Sequence, residues 1–319
     1  MQIAEPRFSL IVPVYLNEDS LPALLAEIEA VSQRMAGSLE LVMVIDGSPD
    51  GSYSYLRENL PRFPFASQLI LLARNFGSFS AIREGLRQAR GSYLAVMAAD
   101  LQEPIELIES FFKTLAGGKA DVVVGSRDSR DDHWQQSLPS RLFWSLYRHL
   151  INSDIPPGGV DVFGCTSTFA QHLVSLPEAR SSLVGQLFWL GHRRQIIGYH
   201  RRARLHGKSA WSLRRKLAYL SDSLFSFSDL PIRILLGLGL LGMSLSILLA
   251  VLVVVARITG NIEVPGYAAL MVALTFFAGL NSTGLGLIGS YAWRAYENTK
   301  QRPLALILER HEFTGSTPR

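Results

Sequence analysis

Short apolar runs alternate with longer segments of helical period along the first 126 residues. The runs have the length of buried β-strands and occupy 8–15, 39–46, 67–73, 93–99 and 120–126. Between them, apolar residues recur every three to four positions in segments such as 21–35, 79–89 and 104–115. This alternation predicts an α/β fold with a mostly parallel sheet and helices on its faces.

Polar side chains follow each of these runs. They are Tyr15, Asp46, Arg74 with Asn75, Asp100 with Gln102, and Arg127. A single polar residue at such a place is more often a cap or a turn. Because parallel strands end at one edge of a sheet, where the ligands of α/β folds bind, the whole set favours a binding site.

The most acidic strand end is the segment Ala-Asp-Leu-Gln-Glu-Pro at 99–104. Strand alternation places Asp100 and Gln102 on one side and Glu103 on the other, unless the chain turns there. The two oxygen-bearing groups suit a hard divalent cation or a polar ligand. The alternative is a strand end followed by a helix N-cap. The single cysteine, Cys165, excludes both a disulfide within the chain and a cysteine-based metal cluster.

Two uncharged segments, 234–256 and 264–293, each exceed the roughly 20 residues that cross a bilayer core. They predict two transmembrane helices. Basic residues precede the first segment and follow the second, whereas the connection holds only Arg257 and Glu263. The positive-inside rule then places both termini and the first domain in the cytoplasm of a two-pass protein of the inner (plasma) membrane. The start of the chain lacks a signal-peptide pattern, which agrees with that orientation.

The segments 138–151 and 209–227 mix aromatic and leucine side chains with Arg or Lys, as interfacial helices do. The alternative is an ordinary surface helix on the sheet. Basic residues next to a membrane span, without a nucleic-acid motif, argue against nucleic acid as a partner. The sequences GLGLLG at 237–242 and GLGLIG at 284–289 match a dinucleotide fingerprint, but they lie inside the predicted spans rather than between a strand and a helix.

Several segments, in order and spacing, resemble the polyprenyl-phosphate glycosyltransferases of glycosyltransferase family 2. They are IVPVY (11–15), VIDGSPDGS (44–52), AADLQEP (98–104), SRLFW (140–144), GGVDVFG (158–164), YHRRARLHGKSAWS (199–212) and GSYAWRAYENTKQRP (289–303). The resemblance covers nearly the whole chain. It implies a GT-A type Rossmann-like sheet domain, a divalent metal (Mg²⁺ or Mn²⁺), and inverting transfer of one sugar from a nucleotide-sugar donor to a polyprenyl phosphate.

The resemblance also assigns roles to individual residues. For nucleotide binding it implies Pro13, Tyr15, Glu18, Asp46, Arg74 and Asp100. Asp100 with Gln102 is implied at the metal, and Asp161 is implied as the catalytic base. The residues implied for the lipid phosphate and the diphosphate are Arg127, Ser140, Arg141, Arg201, Arg204 and Ser209. Arg201 and Arg204 would share one face if their stretch is helical.

The sequence departs from the family pattern at several of its motifs. Ile45 and Ala98 stand where acids are usual, Ala210 stands where a lysine is common, and Leu16 leaves Glu18 one place late. These changes keep a second reading open, a degenerate membrane-anchored nucleotide-sugar-binding protein without turnover. A processive polysaccharide synthase is disfavoured because the sequence has no Gln-x-x-Arg-Trp segment.

Four segments follow from these patterns and the resemblance. They are a nucleotide-sugar-binding core at 1–137, an acceptor-site region with interfacial helices at 138–229, a transmembrane pair at 230–293 and a cytoplasmic tail at 294–319. The expected reaction moves glucose or N-acetylglucosamine from its UDP donor to undecaprenyl phosphate on the cytoplasmic face. The expected assembly is a homo-oligomer, with a tetramer suggested by the resemblance.

Overall fold

The computed structural model describes residues 6–35, 38–130, 144–145, 147–149, 152–157, 159–178, 181–202, 213–260 and 266–315. The strands are β1 Phe8–Val14, β2 Leu39–Ile45, β3 Ala66–Leu72, β4 Tyr93–Val96, β5 Val122–Arg130, β6 Phe163–Thr166, β7 Arg194–Arg201 and β8 Ile307–Phe313. The helices are α1 Leu21–Arg34, α2 Ser52–Asn59, α3 Ser78–Gln88, α4 Ile105–Ala116, α5 Ser167–Ser175, α6 Leu183–Trp189, α7 Leu213–Phe227, α8 Leu230–Ile258 and α9 Tyr267–Thr299.

The described strands form one mixed sheet in the order β7-β5-β6-β4-β1-β2-β3-β8. β1 pairs in parallel with β2 and β4, and β2 pairs in parallel with β3. β6 is antiparallel to β4 and β5, β7 is parallel to β5, and β8 is antiparallel to β3. The strands β1 to β5 and β7 therefore end at one edge of the sheet, and β6 begins there. This mixed sheet agrees with the GT-A-like α/β fold expected from the sequence.

Helices cover both faces of the central strands, which explains why β1 to β4 are mostly apolar. Alternation along β1 sends Leu10 and Val12 towards a core shared with α1 and α4. Ile11 points the other way, into a core shared with α3, α5 and α6. Each of these three side chains is fully buried. The two cores hold the parallel strands in register, so the loops at their carboxyl ends have a rigid base.

The four amino-terminal strands lie where the apolar runs predict them, with one difference. β4 ends at Val96 rather than at Ala99, and the chain then turns through Leu101, which has a left-handed φ of 58°. The strands β6, β7 and β8 were not predicted. They join the sheet from the predicted acceptor-site region and from the predicted tail, where β8 pairs with the edge of β3.

The long helix α8 contains the predicted segment 234–256, α9 contains 267–293 of the predicted segment 264–293, and each holds one glycine-rich hexapeptide. The hexapeptides thus lie within helices, as expected, and not between a strand and a helix. Measured by length and apolarity, no individual helix of the described chain meets the requirement for crossing a bilayer. One bent pair, Tyr219–Phe227 with Leu230–Leu245, meets it jointly with an angle of 75° between its helices.

Candidate active site

The carboxyl ends of β1 and β2 form one half of the candidate site. Pro13 lies in β1, and the half-buried Tyr15 is the first residue after this strand. Glu18 comes two residues after Leu16, whose φ of 57° is left-handed. The exposed Glu18 carboxylate then accepts a hydrogen bond from the Gly51 backbone N–H at 2.7 Å. Although Glu18 is displaced along the sequence, the turn brings it to the loop that follows β2.

Asp46 ties the end of β2 to the start of α3. Its two carboxylate oxygens accept hydrogen bonds from the backbone N–H groups of Phe76 (2.7 Å) and Gly77 (2.9 Å). Burial raises the pKa of Asp46, against the lowering effect of these two N–H groups and of Arg74. Arg74 is exposed beside this contact, with its guanidinium 4.1 Å from the centre of the Phe76 ring. Asp46 therefore fixes the loop between β3 and α3, which belongs to the predicted nucleotide site.

The same turn contains Asp50, which the sequence reasoning did not select. It accepts hydrogen bonds from the hydroxyls of Ser48 (2.6 Å) and Ser52 (2.9 Å) and from the Glu18 backbone N–H (3.2 Å). Burial would raise the pKa of Asp50, but these bonds together lower it. The signal was present in the sequence, since an acid within Gly-Ser-Pro-Asp-Gly-Ser is typical of a turn that bonds its own backbone.

The second half of the site begins at the turn after β4. Asp100 is half-buried and its Oδ1 accepts a long hydrogen bond from the Gln102 backbone N–H at 3.4 Å. The Gln102 side-chain oxygen accepts a hydrogen bond from Arg201 Nη2 at 2.6 Å. A separate contact joins the two halves, because the Ser20 hydroxyl donates to the Ala99 carbonyl at 2.7 Å. The predicted metal residues thus lie at the same sheet edge as the predicted nucleotide residues.

Asp161 lies just before β6, among cationic and hydroxyl groups. It forms a short ion pair with Arg127, which follows the apolar core of β5. The Tyr199 hydroxyl donates a hydrogen bond to Asp161 Oδ2 at 3.3 Å, and Arg201 Nη1 lies 3.9 Å from the same oxygen. Asp161 is 23% exposed while Arg127 is 8% exposed, so the carboxylate is the more accessible partner. A ligand that approaches from solvent would therefore reach Asp161 before Arg127.

Glu103 lies beneath this cluster and is fully buried. Burial raises the pKa of the Glu103 carboxyl, and the nearby Asp100 charge raises it further, whereas Arg201 and Arg127 act in the opposite direction. Strand alternation alone would point Glu103 away from Asp100. The chain does turn there, because Leu101 has a left-handed φ of 58°. This turn brings Glu103 to the side of Asp100, the exception that the sequence analysis allowed.

The structure brings five of the predicted residues into one cluster. They are Asp100, Gln102, Arg127, Asp161 and Arg201. Ser140, Arg141, Arg204 and Ser209 lie outside the described residues. Arg201 is the last residue of β7, so it does not lie in a helix, the condition under which Arg201 and Arg204 would share a face. Pairing of β7 with β5 brings Arg201 beside the end of β5 and thus beside Arg127.

A divalent cation fits this set of donors when substrate phosphates complete its coordination. No group of three His, Cys, Asp or Glu side chains among the described residues is placed to hold a metal ion alone. Mg²⁺ is usually bound by only one or two carboxylates together with phosphates and water. Asp100 supplies one carboxylate, and Gln102 supplies an amide oxygen.

Comparison with known proteins agrees with this arrangement. The family model described as glycosyl transferase family 2 matches residues 9–174, just over half of the chain. An uncharacterized glycosyltransferase of Synechocystis sp. is 32% identical, over 94% of each chain. A prophage bactoprenol glucosyl transferase homolog of Escherichia coli is 28% identical, over 94% of this chain and 98% of that protein. The bactoprenol glucosyl transferase of Shigella phage SfII is 27% identical, over 96% and 98%. The chain therefore belongs to glycosyl transferase family 2 and is a glycosyltransferase.

Proposed function

We propose that this glycosyltransferase moves one sugar from a UDP-linked donor, glucose or N-acetylglucosamine, to undecaprenyl phosphate at the cytoplasmic face of the inner membrane. The observation that carries the proposal is the meeting of Asp100, Gln102, Asp161, Arg127 and Arg201 at one edge of the sheet. The names of the relatives from Escherichia coli and Shigella phage SfII support bactoprenol, which is undecaprenol, as the lipid of the acceptor.

The chemical problem is to bring two anionic substrates together. A phosphate monoester is largely ionised at neutral pH because its second pKa is about 6. Its oxygen attacks the anomeric carbon while the bond from that carbon to the nucleotide diphosphate breaks, and the bonding electrons leave with the diphosphate. Attack opposite the leaving group inverts the anomeric configuration. Arg127 and Arg201 are the described cations able to bind phosphate oxygens at this point.

Asp161 is the residue proposed to take any proton that remains on the acceptor phosphate. It is the most accessible carboxylate in contact with the two arginines, and the Tyr199 hydroxyl orients its Oδ2. Arg127 and Arg201 are turned towards Asp161. An incoming phosphate would compete for both guanidinium groups and leave Asp161 less neutralised, which favours its action as a base.

Asp100 and Gln102 are proposed to hold Mg²⁺ or Mn²⁺ together with the donor diphosphate. A bound cation would supply positive charge where the leaving diphosphate gains negative charge. The loops shaped by Asp46, Glu18 and Tyr15 would then receive the nucleotide at the neighbouring ends of β1 and β2.

The helices α7, α8 and α9 are proposed to hold the active site at the membrane, with α8 and α9 as a two-pass anchor. Large apolar side chains on both long helices are exposed, among them Leu241 (67%) and Leu285 (70%). Arg294 of α9 donates a hydrogen bond to Asp222 of α7 at 2.8 Å, so these helices pack together. The 75° bend between α7 and α8 supports α7 lying along the headgroup layer while α8 enters the bilayer.

Membranes containing the protein, incubated with radiolabelled UDP-sugars and undecaprenyl phosphate, test the proposal directly. We expect one donor to give an organic-soluble product that carries the inverted anomer. Asp100→Ala and Asp161→Asn should each reduce product formation at least about a hundredfold. Asp121→Asn is the matched control, since Asp121 binds Arg193 at the opposite end of β5. No lipid-linked product with any donor, from protein that is folded, would contradict the proposal.

A further inference from the structure

Glu103 is an acid that the proposed mechanism does not use. Its side chain has 0% exposure, and neither of its oxygens accepts a hydrogen bond from another described residue. Burying an unpaired carboxylate is expensive, and replacing such a group with a neutral one is often neutral or stabilising. Its presence therefore needs a reason other than stability of the fold.

The nearest cationic atom to Glu103 is also unpaired. Arg201 Nε is buried without a hydrogen-bond partner and lies 3.9 Å from Glu103 Oε1. This separation is just beyond hydrogen-bonding distance, so a shift of about 1 Å would join the two atoms. A buried N–H donor and a buried carboxyl oxygen thus face each other without forming the bond.

The two terminal nitrogens of the Arg201 guanidinium face Gln102 and Asp161. Its Nη2 donates to Gln102 Oε1 at 2.6 Å and its Nη1 lies 3.9 Å from Asp161 Oδ2. Asp161 is 23% exposed, whereas Glu103 is completely enclosed. The guanidinium therefore has a buried Nε edge towards Glu103 and an accessible edge formed by its two terminal nitrogens.

We propose that Glu103 is a positioning residue for Arg201, holding the Nε edge of the guanidinium so that both terminal nitrogens face a phosphate oxygen of the substrate. This inference rests on the proposed function, because it takes the anion at Arg201 to be a phosphate. Arginine binds phosphate best through two parallel N–H groups in a fixed plane. A carboxylate at the buried edge fixes that plane and leaves the two outward N–H groups for the ligand.

The backbone before Glu103 supports a dedicated placement. Leu101 is 4% exposed and has a φ of 58°, a left-handed conformation that non-glycine residues rarely adopt. This turn directs Glu103 inward, beneath Arg201. A chain that continued as a strand would instead place Glu103 and Gln102 on opposite faces, away from a shared arginine.

The test compares Glu103→Gln with Glu106→Gln in the full-length purified protein. Glu103→Gln keeps the size of the side chain but replaces one carboxyl oxygen next to Arg201 with an NH₂ group, which cannot accept a hydrogen bond from Nε. Glu106→Gln is the matched control, because the exposed Glu106 lies 3.6 Å from the neighbouring arginine, Arg202. Farnesyl phosphate is the probe, and its affinity is measured by calorimetry without any turnover. We expect about tenfold weaker binding for Glu103→Gln and no change for Glu106→Gln.

A double-mutant cycle with Arg201→Ala tests whether Glu103 acts through Arg201. In that background, Glu103→Gln should have no further effect on farnesyl phosphate affinity. Thermal melting should show Glu103→Gln to be at least as stable as the wild type, which separates positioning from folding.

Three outcomes would overturn the inference. If the wild type binds farnesyl phosphate and Glu103→Gln binds it equally well, or if the losses from Glu103→Gln and Arg201→Ala are additive, the positioning role is wrong while the proposed function stands. If the wild type binds no farnesyl phosphate, the proposed acceptor is wrong and the inference falls with it.

Discussion

Arg201 Nη2 donates a hydrogen bond of 2.6 Å to Gln102 Oε1, the same atom that is proposed to bind the metal. An oxygen that accepts this bond is less available to a cation, and the guanidinium charge lies beside the cation's position. Arg201 would therefore compete with a bound metal for Gln102 until a phosphate drew the arginine away. Metal binding and phosphate binding at this edge are expected to be coupled.

Removal of Arg201 should consequently strengthen metal binding in the absence of substrates. We expect Arg201→Ala to bind Mn²⁺ about tenfold more tightly than the wild type, the equivalent of one charge-assisted hydrogen bond. The measurement is titration of free Mn²⁺ by electron paramagnetic resonance.

Arg202→Ala is the control for the general effect of removing a positive charge. Arg202 is the next residue, but its side chain pairs with Glu27 at 3.1 Å and Glu106 at 3.6 Å rather than with Gln102. An equal gain in Mn²⁺ affinity from Arg201→Ala and Arg202→Ala would show that the competition for Gln102 does not exist.

Asp46 should be important for stability as well as for the proposed nucleotide loop. Asp46→Ala removes the acceptor of two backbone N–H groups, Phe76 at 2.7 Å and Gly77 at 2.9 Å, which lie where α3 begins. Each bond to a charged group contributes about 1.5–3 kcal/mol, so the loss should total roughly 2–4 kcal/mol after relaxation. Asp46→Asn retains one acceptor oxygen, so its melting temperature should lie between those of the wild type and Asp46→Ala. Equal melting temperatures for all three proteins would refute this role.

The sequence predicted the framework of the fold because burial on both sides leaves a simple pattern. β1, β2 and β3 are covered by helices on both faces, so each is a mostly apolar run, and polar residues follow soon after it. β8 carries charged residues instead, because it is an edge strand held mainly by its backbone bonds to β3. Such a strand has no apolar run to reveal it, and neither does the four-residue β6.

The candidate site was only partly predictable, for reasons that lie in single backbone angles. The sequence identified Asp100, Gln102 and Asp161, but the direction of Glu103 depends on the left-handed turn at Leu101. Leucine seldom adopts that conformation, so nothing in the local sequence indicates it. The sequence left the structure at Arg201 open, since Arg201 and Arg204 would share a face only if their stretch is helical. Pairing with β5, a contact between residues about 70 positions apart in sequence, makes Arg201 the end of a strand.

Tyr199 should make the protein less stable at high pH. Burial raises the pKa of Tyr199 to about 12, and the charge of Glu103 acts in the same direction. The unfolded chain loses this proton near its ordinary pKa of 10.0, whereas the folded protein keeps it until about 12. The contribution of Tyr199 to the free energy of unfolding is therefore fully present below pH 10. It is lost as the pH rises through about 12, by an amount on the order of 2 kcal/mol.

Tyr199→Phe isolates this effect because it removes only the hydroxyl. The melting temperature of the wild type minus that of Tyr199→Phe, followed from pH 8 to pH 11, should fall steadily above pH 10. Tyr296→Phe is a suitable control, since the Tyr296 side chain is 56% exposed. A difference that stays constant across this range would contradict the assigned direction.

Gly47 should be intolerant of any side chain, and the reason is close packing in addition to backbone conformation. Its φ is 57°, and a Cβ atom there would lie 2.3 Å from the Arg74 carbonyl carbon. Gly118 has a similar φ of 67°, but a Cβ atom there would meet nothing within 4 Å. Gly118→Ala should thus cost only the backbone strain, about 1–2 kcal/mol. Gly47→Ala adds a collision with main chain and should cost several kcal/mol more, or prevent folding. Urea unfolding of both variants measures the difference, which reports how tightly the loop after β2 packs on the loop after β3. Similar losses for the two variants would mean that these loops have room to separate, and that Asp46 alone holds them together.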